Sequence, residues 1–102
     1  MLANMDVELE AARLLVLAAA WKGERAASDF RISASRAKLY ATEMAGRAAD
    51  SAVQIFGGAG YMSDLPVERM YRDLRGFRIG EGSSEMQRVQ IARHVMARDA
   101  QV

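Results

Sequence analysis

Two stretches of this 102-residue chain combine residue types that can do chemistry. The first is Gly80-Glu81-Gly82-Ser83-Ser84-Glu85. Glu81 lies between two glycines just ahead of a predicted helix, and the glycines leave room for a substrate and permit an unusual backbone path. A carboxylate on such a loop can act as a general base once a pocket closes over it. The hydroxyls of Ser83 and Ser84, with the amides at the helix start, can hold an anion or a carbonyl. On pattern alone, an exposed loop glutamate beside an ordinary helix cap accounts for the same residues. The second stretch is Gln54-Ile55-Phe56-Gly57-Gly58-Ala59-Gly60. Its glycines expose backbone N–H groups to a ligand such as a phosphate. It lacks the third glycine of a dinucleotide fingerprint, and a helix precedes it where that fingerprint needs a strand. On pattern alone a glycine helix stop and turn is the favoured explanation of this stretch.

Other candidates carry less. The single histidine, His94, cannot build a multi-histidine site, and the absence of cysteine excludes disulfides, a thiol nucleophile and a cysteine metal centre. Trp21 and the seven methionines read as packing residues. Arg69, Arg72 and Arg75 recur at threes along one side of a predicted helix, as a solvated or ion-paired face would. A formal net charge of +1 offers no field for nucleic acid or an anionic membrane. No uninterrupted apolar stretch is long enough to span a bilayer, and the acidic first ten residues do not form a signal peptide.

The elements that must position these residues are helical. Alanine is abundant, proline occurs once, and no strand pair is evident. Four helices are predicted. The first runs from about residue 5 to 22 and stops at Gly23. The second runs from about 31 to 56. It carries Tyr40, Met44, Ala48, Ala52 and Ile55 on one face, beside a small-residue strip of Ala37, Ala41, Ala45 and Ala49 suited to close helix packing. The third runs from about 66 to 74, with Glu68 and Arg72 spaced to pair. The fourth runs from about 85 to 99, with Ser84 and Gln87 forming a capping box and Met86, Val89, Ala92 and Met96 the buried stripe. The fold expected is all-α, an up-and-down bundle of about four helices forming one domain over 1–102. The first helix lacks a clear N-cap, so the bundle is expected to be open at one end and truncated.

Three linked segments carry a family resemblance. Gln54 to Tyr61, Pro66-Val-Glu-Arg-Met-Tyr-Arg-Asp73 and Arg78-Ile-Gly-Glu-Gly-Ser-Ser-Glu-Met-Gln-Arg88 together resemble the C-terminal signature of acyl-CoA dehydrogenases. Leu9 to Leu15 and Ala37-Lys-Leu39 resemble that family too, so the likeness covers nearly the whole chain, in order. It implies a flavoprotein that converts an acyl-CoA to the trans-2-enoyl-CoA. Glu81 would be the base that removes the α-proton, and FAD would take the β-hydrogen as hydride. Gly82 would lie against the substrate. Ser83, Ser84 and Glu85 would contact FAD, and Gln54, Ile55, Phe56, Gly57 and Gly58 would reach FAD bound mainly by an adjacent subunit. Electrons would pass to an electron-transfer flavoprotein. Two positions depart from the pattern: Gly80 stands where many members carry tyrosine, and Ser83 where threonine is common.

The resemblance also implies missing parts, namely an N-terminal helical domain and a middle β-domain. The isolated chain is therefore expected to be inactive. It would act with those domains or as part of a homo-oligomer, a tetramer in the family. The bacterial cytoplasm is the expected location, or the mitochondrial matrix in a eukaryote. The alternative is a non-catalytic helical module for oligomerisation or docking.

Overall fold

The computed structural model describes residues 1–101. It is all-helical: α1 (Leu2–Glu24), α2 (Phe30–Phe56), α3 (Gly58–Tyr61), α4 (Val67–Gly76) and α5 (Ser84–Asp99). The four expected helices are present, joined by the single turn α3 between the second and third. α2 is the spine. Its 27 residues extend about 40 Å at 1.5 Å per residue, and α1, α3, α4 and α5 all pack on it.

α1 lies on α2 through small residues, since Ala12 and Ala19 are its two buried positions. With half-buried Met5, Glu8, Leu15 and Lys22 they recur at alternating spacings of three and four, a coiled-coil-like seam. Leu9, Leu14, Val16 and Leu17 lie off that seam and remain largely exposed. Alanine at the contact lets the two backbones approach closely, and Ala12 lines an apolar hollow together with Ala41, Met44 and Ala45 of α2. Ion pairs fasten both ends. Lys22 Nζ donates to Asp29 Oδ2 at 2.6 Å and to Ser33 Oγ at 2.9 Å, and Arg47 reaches Glu8 at 3.1 Å.

Gly23 does not stop α1, which continues to Glu24. The left-handed residue that turns the chain is Ala26 (φ 49°). Gly23 is small for another reason: a Cβ there would lie 2.9 Å from the Phe30 ring. Trp21 is no packing anchor either, because it is 54% exposed, with the Arg25 guanidinium 4.0 Å above its ring. Of the methionines only Met44 is in the core.

The seam of α5 also differs from expectation. Met86, Val89, Ala92 and Met96 face outward, while Ser84 and Gln87 are buried and Ile91 and Val95 half-buried. The reason is polar: Ser84, Gln87 and Gln90 all hydrogen-bond to partners on or beside α2, which rotates the apolar stripe away from it. The chain therefore exposes much apolar surface. Its 7400 Å² compares with about 5,700 Å² for a compact monomer of this mass. Its radius of gyration of 16.2 Å compares with about 13 Å for a compact domain of this length. No described helix is long and apolar enough to cross a membrane.

Candidate active site

The two glycine-rich stretches sit at different places on the spine. Lys38 on α2 touches Gly82, whereas Gln54 lies sixteen residues further along the same helix, about 24 Å away. Glu81, Gly82, Ser83, Ser84 and Glu85 thus form one group and Gln54, Ile55, Phe56, Gly57 and Gly58 another, and the fold does not bring the two together within one chain.

The first group sits on the crossing from α4 to α5. α4 continues past the expected end at Leu74 to Gly76, and its helical winding persists as Phe77, Arg78 and Ile79 donate to the carbonyls of Leu74, Arg75 and Gly76. Gly80 then closes on Gly76 O at 2.9 Å. Glu81 follows at φ 55° and Gly82 at φ 87°. Two successive left-handed residues reverse the chain into α5, and Glu81, having a Cβ, is strained there by about 1–2 kcal/mol. Its carboxylate is exposed, and no hydrogen bond or ion pair reaches it among the described residues.

Three side chains hold this crossing. Lys38 Nζ donates to the carbonyl oxygens of Phe77 at 2.7 Å, Gly80 at 3.1 Å and Gly82 at 2.5 Å. Gln87 Nε2 also donates to Gly82 O, at 3.3 Å. Glu43 Oε1 accepts from Ser84 Oγ at 2.6 Å and from Arg78 Nε at 3.2 Å, with Arg88 at 3.8 Å. The Ser84 hydroxyl, then Arg78, favour the ionised form of Glu43 and hold its carboxyl below the ordinary value of 4.5 against the opposing effect of burial. A Cβ at Gly82 would sit 2.6 Å from Gln87 Nε2 and would push that amide off the Gly82 carbonyl.

The cap of α5 is Ser83, not Ser84: its hydroxyl accepts from the Met86 amide. Ser84 is the first helical residue, 3% exposed, with its hydroxyl turned inward to Glu43. Its amide donates to Arg78 O and that of Gln87 to Ser83 O. The helix start therefore keeps one amide without a partner among the described residues, that of Glu85, in place of the row of free donors the sequence suggested.

The second group ends α2. Gly57 (φ 64°, ψ −145°) adopts a conformation essentially confined to glycine. Gly60 is buried, and a Cβ there would lie 2.8 Å from Val53 O. At Gly57 and Gly58, by contrast, a Cβ would meet nothing within 4 Å, and Gln54, Ile55 and Phe56 are exposed. Beside this turn an open cleft of about 690 Å³ is lined by Asp50, Tyr61, Tyr71, Arg72 and Arg75 among others. Arg72 pairs with Glu68 at 3.5 Å, as their spacing predicts. His94 is exposed and borders a separate hollow of about 340 Å³ with Asp29, Ser35 and Gln90.

Sequence reasoning missed Lys38, Glu43 and Gln87. No spacing marked Lys38 or Glu43, because a charged residue in a helix is usually solvated.

A family model described as acyl-CoA dehydrogenase, C-terminal domain, matches residues 1–96. The chain belongs to that family. The probable acyl-CoA dehydrogenase YngJ of Bacillus subtilis is 50% identical over 95 residues, covering 93% of this chain and 25% of that protein. The 3-sulfinopropanoyl-CoA desulfinase of Paraburkholderia xenovorans is 47% identical over 94 residues, covering 90% of this chain and 23% of that protein. Among solved structures, the butyryl-CoA dehydrogenase of Megasphaera elsdenii superposes with a TM-score of 0.90 at 40% identity, over 93% of this chain and 24% of that one. The chain thus spans about a quarter of the length of the relatives it matches.

Proposed function

We propose that this chain is the base-bearing C-terminal helical domain of a flavin-dependent acyl-CoA dehydrogenase, with Glu81 removing the α-proton of an acyl-CoA thioester to give the trans-2-enoyl-CoA. The observation that carries this reading is Glu81 itself: an exposed carboxylate without an internal partner, on a turn that Lys38 grips at the carbonyls of Gly80 and Gly82. Glu43, by contrast, is paired with Arg78 and Ser84 and serves the crossing itself. Gly80, without a side chain, leaves room beside Glu81 for the thioester, and Gly82 would lie against it. The relatives' names support a CoA thioester as substrate, with both dehydrogenase and desulfinase among them.

FAD, when bound, supplies the acceptor for the β-hydrogen. The residues present fit such a group. Gly57 and Gly58 offer bare backbone with open space above it, Gln54 offers an exposed amide, and Ile55 and Phe56 offer exposed apolar surface. At the other site Ser83, Ser84 and Glu85 present the start of α5, where the Glu85 amide is free to donate. Because about 24 Å of helix separates the two groups, they serve different flavins, one in the domain's own subunit and one in a neighbour. Electrons then leave to an electron-transfer flavoprotein.

The exposed apolar surface points the same way. About 1,700 Å² more area is open than a compact monomer of this mass leaves, enough for a standard protein interface. The N-terminal and middle domains, and further subunits, are the surfaces that cover it. The alternative, a docking module without catalysis, shares this feature but gives Glu81 no role.

The test compares two proteins: the 102-residue chain alone, and a graft in which it replaces the matching quarter of the Megasphaera elsdenii butyryl-CoA dehydrogenase. The chain alone is expected to hold no stoichiometric FAD and to reduce no dye with butyryl-CoA, while the graft does both. A graft that folds and binds FAD yet shows no turnover would contradict the proposal.

A further inference from the structure

We infer that Lys38 is a positioning residue that holds Glu81 in its reactive orientation; this rests on the reading of Glu81 as the base. An ammonium group has three donors, and the three bonds of Lys38 go to the backbone carbonyls of Phe77, Gly80 and Gly82. The last two belong to the residues immediately before and after Glu81. Lys38 thus grips the peptide on the N-terminal side of Glu81 through Gly80 O, and through Gly82 O the peptide one residue beyond its C-terminal side, tying both arms of the turn to one point on α2.

The tether has something to oppose. Glu81 sits at φ 55°, a region that costs a residue with a Cβ, and glycine alone enters it freely. A loop of small residues with no core of its own would relax Glu81 to negative φ, turning its side chain away from its present direction. Backbone contacts do not prevent this. The Gly80 amide bonds back to Gly76 and the Ser84 amide to Arg78, but the Glu81 and Gly82 amides donate to no group among the described residues. Lys38 is itself well placed to act as a fixed point. It is half-buried, sits between Ala37 and Leu39 on the rigid spine, and lies one turn before Thr42, whose hydroxyl donates to Lys38 O at 2.8 Å. Each bond is charge-assisted, stronger than its neutral equivalent. Glu43 and Gln87 secure the C-terminal side of the same crossing through Ser84 and Gly82, so Lys38 is the one side chain that grips the peptide on the N-terminal side of Glu81.

The graft described above, loaded with FAD, tests this with Lys38→Met, Lys38→Arg and Glu81→Gln. Lys38→Met is expected to bind FAD at the parent stoichiometry. Its KM for butyryl-CoA should stay within about threefold and its kcat should fall on the order of 10- to 100-fold, the usual scale for a displaced catalytic group. The isotope effect with α-deuterated substrate should rise as proton removal becomes limiting. Lys38→Arg, which keeps charge and donors, should recover part of kcat. Were Lys38→Met to lose its fold, Lys38→Arg would carry the test through the same kcat fall and isotope effect, smaller in size. Parent kcat and isotope effect in either folded variant would overturn the inference, as would a loss confined to KM. An active Glu81→Gln graft would instead overturn the assignment of the base, so the two failures are distinguishable.

Discussion

The crossing at 77–84 and the turn at 54–62 are alike in sequence, each a glycine-rich stretch at a helix end, and opposite in construction. The turn is held by backbone alone: Gly57 donates to Gln54 O, Gly60 to Gly57 O and Met62 to Ala59 O, with glycine geometry doing the rest. The crossing is held by charged and polar side chains from other helices, Lys38 and Glu43 from α2 and Gln87 from α5. The difference matches the task proposed for each. A turn that presents bare backbone to a large planar group needs only to be open. A loop that aims one carboxylate needs its peptide planes fixed, and a fixed point must come from outside the loop.

The contrast can be broken or sharpened by substitution. The largest effect is expected at Glu81: Glu81→Gln in the flavin-loaded graft should lower kcat by about 10²- to 10⁴-fold, the usual contribution of a general base, with FAD content unchanged by absorbance. On the turn, Gly60→Ala forces a Cβ to 2.8 Å from a backbone oxygen, and overpacking of that kind should cost about 1–3 kcal/mol in thermal or urea unfolding. Glu43→Gln tests the crossing through pH. The folded state holds the Glu43 carboxyl below its ordinary 4.5, so the ionised group stabilises the fold above that pH and the contribution is lost as pH falls below it. The gap in melting temperature between parent and Glu43→Gln should therefore be widest near neutrality and close on acidification below 4.5. Gly58→Ala is the smallest in stability, within about 1 kcal/mol and of stabilising sign, because its Cβ meets open space. The same variant should bind FAD more weakly in the graft, separating the turn's role in presenting backbone from any role in folding.

Much of this was legible in the sequence, for identifiable reasons. Long helices show in period and composition, so the four main segments and the Glu68–Arg72 pair follow from spacing. The seams do not. Ala12 gains its place beside Ala41 and Ala45 of α2, and leucines nearby look like the stronger claim until the partner is known. On α5 the buried face is set by Ser84 and Gln87, whose value depends on acceptors 41 and 5 residues away, while Met86 and Met96 keep an apolar stripe that none of the described residues covers. The Ser83 cap differs from the expected Ser84 by one residue because Ser84 is spent on Glu43. Glu81 stood out through its flanking glycines, but Lys38 did not: a lone lysine in a helix is usually solvated, and only the fold reveals three carbonyls converging on it.

The central claim is that Glu81 takes the α-proton, and the most direct measurement is exchange of that proton. Incubating the FAD-loaded graft with butyryl-CoA in D₂O under anaerobic conditions, and following the α-CH₂ signal by NMR, should show deuterium entering the α-carbon with the parent chain and none above background with Glu81→Gln. Undiminished α-exchange in Glu81→Gln would place the base on another residue and contradict the account.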